Sequence, residues 1–255
     1  MSDGRALARA FLEQQRLLGG DSVILSDGRT GPTTPGSPGL LPGSPGSPGK
    51  ELPSPGISYD PPAGDLFSND PMLQAPSLAA VAALVAQCTR CRLCEGRTHT
   101  VPGEGPDDAR LVVVGEGPGR VEDETGRPFV GQAGELLTKI LAAIDLPRER
   151  VFICNVVKCR PPENRVPQYD EIGACVPYLF RQIELLKPKV ILAMGSTAAQ
   201  TLLDTRQSLG ALRDRIHRFR GIPVVVTYHP AALLRNPHWK KPTWDDVRTA
   251  HRLLA

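Results

Sequence analysis

The chain has 255 residues, 40% of them hydrophobic and 22% charged, with a net charge of +3. One ordinary core fits that length, and the longest apolar runs, such as SLAAVAALVAQC, fall well short of the ~20 residues that a membrane span needs. The start MSDGRALARAFLEQQR places charges at helical spacing and has no signal-peptide core, so a soluble, cytoplasmic protein without a membrane partner is expected, in which six cysteines point to metal binding ahead of disulfides.

In chain order, residues 4–18 form a candidate amphipathic helix, with Leu7, Phe11, Leu17 and Leu18 on or near one face. It belongs to a region, 1–27, that is too short to stand alone. Gly28 to Gly56 then holds 8 Gly, 8 Pro and 4 Ser, with the triplet GSP repeated. Such a stretch has almost nothing to bury, so 28–76 is expected to be a disordered linker. The charge divides unevenly: residues 1–85 carry 5 Lys/Arg and 8 Asp/Glu, and residues 86–255 carry 25 and 19. A modest positive field on the folded part suits a polyanion and equally suits a mixed, solvated surface.

A single domain over 77–255 follows, opening with Ser77 as N-cap of a helix Leu78 to Gln87. Strand-like runs at Leu111–Val114, Val151–Val157, Val190–Met194 and Pro223–Tyr228 are rich in Val and Ile and bounded by turn residues. Helical segments Gly134–Ile144, Gln168–Leu186 and Ser196–Leu203 lie between them, and Trp244–Leu254 closes the chain. Such alternation predicts an α/β fold with a mostly parallel four-stranded sheet between two helical layers. In such sheets ligands sit beyond the carboxyl ends of the strands. Glu116, Asn155, Gly195, Ser196 and His229 occupy those ends. Each alone is an ordinary hydrogen-bonding residue; together Glu116, Asn155 and His229 mark one cleft.

The turn Gly115-Glu116-Gly117-Pro118-Gly119 is not a dinucleotide fingerprint, because position 120 is Arg120, and no Gly-Lys-Ser/Thr follows for a phosphate loop. Its glycines let the main chain approach a planar ligand or a water. Glu122, Asp123 and Glu124 continue it as an acidic loop. Cys88, Cys91, Cys159 and Cys175 bracket this stretch. Spacing leaves the second ligand open between Cys91 and Cys94, and the metal open between zinc and iron-sulfur, although zinc ribbons favour two close pairs and Cys159 and Cys175 stand 16 apart.

The motifs GEGPG with ED, GRPFVGQAG, NVVKCRPPENR and HPAALLRNP, in that order from about Cys88 to the C-terminus, resemble the family 4, iron-sulfur uracil-DNA glycosylases. The resemblance does not reach residues 1–76. It implies a DNA repair enzyme, a monofunctional N-glycosyl hydrolase that flips uracil from DNA and leaves an abasic site. It implies a 4Fe-4S cluster on Cys88, Cys91, Cys159 and Cys175 that staples the domain, with Cys94 and Cys154 outside the ligand set. Asn155 would read the Watson-Crick edge of uracil, Phe129 would stack on the base, and Gly117 and Glu116 would approach it. His229 would stabilise the departing anion. Glu116 and Glu122 would serve the sugar cation, the water or the pocket wall near uracil C5.

Leu233, Leu234 and Arg235 resemble a loop that enters the duplex, and Arg165, with Lys158, Arg160, Lys240 and Lys241, would meet phosphates. A sister branch crosslinks itself to DNA through a histidine in an Arg-Ile-His loop after the second strand. Here that place reads CRPPENR, and Arg215-Ile216-His217 lies far later. The expected partner is uracil-containing DNA, bound by a monomer that joins the nucleoid when on DNA, with a repair or replication partner for the N-terminal helix. The alternative class is a non-catalytic iron-sulfur DNA-binding or redox-sensing protein on the same fold.

Overall fold

A computed structural model describes residues 70–255; the N-terminal helix and residues 28–69 of the linker lie outside the described residues. The chain runs α1 (Leu78–Ala86), α2 (Leu93–Gly96), β1 (Leu111–Gly115), α3 (Arg120–Thr125), α4 (Gln132–Ala142), β2 (Phe152–Asn155) and α5 (Tyr169–Leu186). It continues through β3 (Val190–Met194), α6 (Ser196–Leu203), α7 (Leu209–Leu212), β4 (Ile216–Phe219), β5 (Ile222–Thr227), α8 (Pro230–Arg235) and α9 (Lys240–Arg252). Among the described residues no helix is long and apolar enough to cross a membrane.

The sheet has five strands in the order β2-β1-β3-β5-β4, not four. The four expected strands are present and mutually parallel. Every residue of β1, β2 and β3 is buried, which is why each reads as an unbroken apolar run. The fifth strand, β4, is an antiparallel edge joined to β5 by the turn Arg220-Gly221, both at positive φ. Of its four residues Ile216 and Arg218 are exposed, His217 is half-buried and only Phe219 is buried, so it carries no apolar period to read. Ile216 and His217 therefore belong to the sheet edge opposite β2.

Alternation along the strands divides the core. Val112, Val114, Phe152, Cys154, Ile191, Ala193, Val224 and Val226 join Leu179 and Ile183 of α5 and Ala198, Ala199 and Leu202 of α6 in one cluster. Val113, Ile153, Leu192 and Val225 alternate to the other face; α9 packs on β3 and β5. A second departure is α3, where an acidic loop was expected. Glu122 turns it into a helix by accepting from the N–H of Gly119 at 3.1 Å, at the dipole end where a carboxylate is favoured. Ser77 caps α1 as expected. The packing nevertheless reaches further back, because Met72 is buried and Asp70 pairs with Arg90 at 2.6 Å.

Candidate active site and cysteine cavity

Parallel pairing puts the carboxyl ends of four strands at one edge, and register aligns them. Gly115 faces Asn155 across β1 and β2, and Met194 faces Thr227 across β3 and β5. Glu116 and His229 thus leave the sheet on the same side.

Gly115 is the spacer of this edge. A Cβ built on it would lie 2.4 Å from Asn155 Oδ1 and 2.5 Å from Phe129 Cζ. Only the missing side chain lets the amide and the ring close over the strand end. Asn155 is buried, and its Oδ1 is the one fully buried side-chain polar atom among the described residues without a hydrogen-bond partner. An unpaired buried acceptor is costly to keep, so a ligand donor is the natural partner for it.

The ring of Phe129 lies 5.4 Å from that of His229, tilted by 32°. Phe129 itself is held at φ 52°. Two features keep it there. Gly134 of α4 leaves room, since a Cβ on it would lie 1.9 Å from Phe129 O. Arg148 donates Nη1 to Phe129 O at 2.9 Å and Nη2 to Pro128 O. Burial holds the Arg148 guanidinium below its ordinary pKa. Arg148 follows a proline in a short turn and had no sequence signal.

His229 caps α8: its Nδ1 accepts from Ala231 N at 3.2 Å. An accepting Nδ1 leaves the proton on Nε2. Burial pushes the ring pKa down to about 4, with Arg235 adding to the shift and Glu122 opposing it. The imidazole is therefore neutral, with Nε2–H as donor. Glu116 Oε2 accepts from Thr197 Oγ1 at 2.5 Å, which ties the first turn to α6. Gly117 lies against Val157, 2.8 Å from where its Cβ would stand. Glu122 has no free oxygen: Oε2 takes Gly119 N, and Oε1 takes Val130 N and Gly131 N at 2.9 Å each. It ties the turn after β1 to the segment carrying Phe129.

The residues expected to face a duplex divide. Leu233 is 1% exposed and belongs to the core, so it cannot serve as a wedge in this conformation, because the inward face of α8 carries it. Leu234 is 46% exposed and Arg235 is exposed beside it. Arg165 holds Glu171 with both guanidinium nitrogens at 2.7 and 2.8 Å. Lys158 is not a phosphate contact: it is 1% exposed, with Nζ donating to Asn155 O at 2.8 Å and Gln182 Oε1 at 2.7 Å.

Behind this edge lies a small cavity, part of it open to solvent, lined by Cys88, Cys91, Cys94, Cys159 and Cys175 together with Lys158. Cys154 is buried in β2 and is not among its lining residues. Two donors point at the sulfurs, Arg97 Nη1 to Cys159 at 3.3 Å and Lys158 N to Cys175 at 3.2 Å. Burial raises the Cys91 and Cys159 thiols and pushes Cys175 up to about 12. A thiolate here would need positive charge beside it, and Arg90, Arg97 and Lys158 share the lining. Among the described residues no three histidine, cysteine or carboxylate side chains are grouped closely enough to grip one metal ion.

Residues 102–248 match the family described as the uracil DNA glycosylase superfamily. The chain is 51% identical over 154 residues to a type-4 uracil-DNA glycosylase of Thermotoga maritima, covering 60% of this chain and 80% of that protein. It is 46% identical over 162 residues to that of Pyrobaculum aerophilum, covering 60% and 83%. With the type-4 enzyme of Saccharolobus solfataricus it shares 43% over 188 residues, 70% of this chain and 87% of the relative. A sheet edge built around Gly115, Asn155, Phe129 and His229, joined to that similarity, makes this chain a member of the uracil DNA glycosylase superfamily, in its type-4 family.

Proposed function

We propose that the protein is a DNA repair glycosylase that removes uracil from DNA, and that the strand-end cluster is its base pocket. The unpaired Oδ1 of Asn155 carries this reading. Uracil presents an N3–H donor beside an O4 acceptor, which match Oδ1 and the side-chain amide nitrogen. Cytosine presents an acceptor at N3 and an amino donor, so it would leave both halves of the amide mismatched. Phe129, close to His229, is the stacking surface, with Gly115 and Gly117 keeping the floor thin.

Cleavage breaks the bond from sugar C1′ to uracil N1, and the bonding pair leaves with the base. The neutral His229 donates Nε2–H to uracil O2, where that charge gathers. Glu116, the turn carboxylate not consumed by backbone N–H groups, faces the positive sugar, and water completes hydrolysis at C1′ to give an abasic site and free uracil. Glu122 shapes the pocket through the segments it ties, rather than by direct proton transfer. Leu234 is the wedge and Arg235 its neighbouring phosphate contact.

The cysteine cavity fits a 4Fe-4S cluster better than zinc. Its thiols surround a space instead of converging on one point, and N–H donors reach two sulfurs, a common form of cluster tuning. Cys88, Cys91, Cys159 and Cys175 would hold it, and its chemistry there is to link α1, the segment after β2 and α5. The domain, which packs from about residue 70 onward, then acts on DNA as a monomer, and the N-terminal helix serves a repair or replication partner.

The test is excision on an oligonucleotide with one uracil, with alkali cleavage of the abasic product and a matched thymine control. Uracil-specific cleavage without added metal or nucleotide is expected. A coloured, cluster-bearing protein that leaves the uracil strand intact would favour a non-catalytic DNA-binding role.

A further inference from the structure

Lys158 has every backbone and side-chain polar group committed to this interior. Its N–H donates to Cys175 Sγ at 3.2 Å, its carbonyl accepts from Val101 N at 2.8 Å, and its Nζ donates to Asn155 O and Gln182 Oε1. Gln182 in turn donates Nε2 to Pro102 O at 2.7 Å. Cys175 and Gln182 are seven residues apart on α5, two turns along one face. The lysine therefore spans that face, with its main chain on the thiol and its side chain on the glutamine.

No carboxylate pairs with Lys158 among the described residues. It shares the cavity wall with the thiols of Cys88, Cys91, Cys94, Cys159 and Cys175. The other end of the side chain grips the carbonyl of Asn155. That peptide group sets the direction in which Oδ1 leaves β2, between Gly115 and Phe129.

We propose that Lys158 is a positioning residue for base recognition, transmitting the arrangement of the cysteine cavity to Asn155 through its hydrogen bonds to Asn155 O and Gln182. The inference rests on the reading of Asn155 as the uracil contact. Lys158 touches neither base nor sugar. It fixes the backbone from which the reading amide projects, and α5 fixes Lys158.

The test compares two duplexes by fluorescence anisotropy. One carries 2′-fluoro-arabino-uridine, whose glycosidic bond resists cleavage; the other carries a tetrahydrofuran abasic analogue that makes no base contact. In Lys158→Met, which keeps the stem and removes the donors, the preference for the uracil duplex over the abasic one falls about tenfold, the size of one hydrogen bond. Abasic binding is unchanged. Gln182→Met, which leaves β2 intact, shifts the ratio the same way by about threefold. Equal weakening on both duplexes, or an unchanged ratio, in Gln182→Met overturns the proposal even if Lys158→Met does not fold. Wild-type protein that binds the uracil duplex no better than a thymine duplex would instead sink the assignment of the pocket itself.

Discussion

The strand-end pocket and the cysteine cavity are two sides of one short segment, Asn155 to Cys159, and they are built on opposite principles. In the pocket the polar groups are already satisfied by protein: Glu122 by three backbone N–H groups, Glu116 by Thr197, His229 Nδ1 by Ala231. Asn155 Oδ1 is the one fully buried side-chain polar atom among the described residues that is left over. In the cavity the balance differs, since two thiols receive N–H donors and Arg90, Arg97 and Lys158 share a lining made largely of sulfur and apolar side chains. A site that must choose among bases needs a single unsatisfied vacancy in a rigid frame. A site that must hold a metal needs several ligands and charge still to be neutralised. The difference teaches that the two fail in different ways: loss of the amide spares the cavity, while loss of the cavity reaches the amide through Lys158.

The sharpest separation should come from paired substitutions. Asn155→Ala is expected to lower uracil excision by about 100-fold or more, while the visible absorbance of the cluster and the melting temperature change little. Cys175→Ser should bleach the protein and lower its thermal stability, and should weaken excision as well because Lys158 donates its N–H to this sulfur. Cys154→Ala, one buried strand over, should stay coloured and cost about 1 kcal/mol for the lost packing. Colour retained by Cys175→Ser, or lost by Cys154→Ala, would break the assignment of the cavity.

Glu122 offers an intermediate effect within the pocket's frame. Its two oxygens accept from Gly119, Val130 and Gly131, and Glu122→Gln must point an amide N–H₂ at one of those N–H groups. A loss of about 1 to 3 kcal/mol in denaturant stability is expected, together with weaker excision because Phe129 loses its tether. An unchanged midpoint with lost activity would mean that the carboxylate acts directly on the substrate.

These predictions rest on features with very different visibility in the chain. The four parallel strands were legible because burial on both faces forces runs such as Leu111–Val114 and Val190–Met194. Asn155 and His229 were legible because a parallel sheet sends its strand ends to one edge. β4 was not, since an exposed edge of four residues has no apolar pattern, and α3 was hidden because its start depends on the reach of the Glu122 side chain. Lys158 misled most. A lysine followed by Cys159 and Arg160 reads as surface charge, and only the packing of α5 against the segment after β2 shows that it is interior. Leu233 and Leu234 form an apolar pair whose division into core and solvent depends on the pitch of a six-residue helix.

Leu234 gives a further, smaller test of the pocket's approach. Being 46% exposed at the end of α8, it can be truncated without a cavity. Leu234→Ala should slow excision from duplex DNA by about tenfold, in line with the few kcal/mol at stake in unstacking, and leave single-stranded substrate nearly untouched. Equal loss on both substrates would remove it as the wedge.

The smallest expected effect concerns pH and His229. In the fold its pKa lies at about 4, chiefly because burial disfavours the cation, against about 6.5 when unfolded. Below 6.5 the unfolded chain takes up a proton that the folded one refuses, so stability falls as pH drops from about 6.5 toward 4 and levels off beneath that. His229 as a residue is half-buried, so water offsets part of the shift and the slope is gentle. Protonation also removes the Nδ1 acceptor that caps α8 at Ala231, which places the loss at the helix that carries Leu234. His229→Gln, which cannot titrate, should flatten the dependence of melting temperature on pH in this window. An identical slope in wild type and variant would show that His229 is protonated as readily in the fold as in the unfolded chain, and would remove the neutral Nε2–H donor from the pocket.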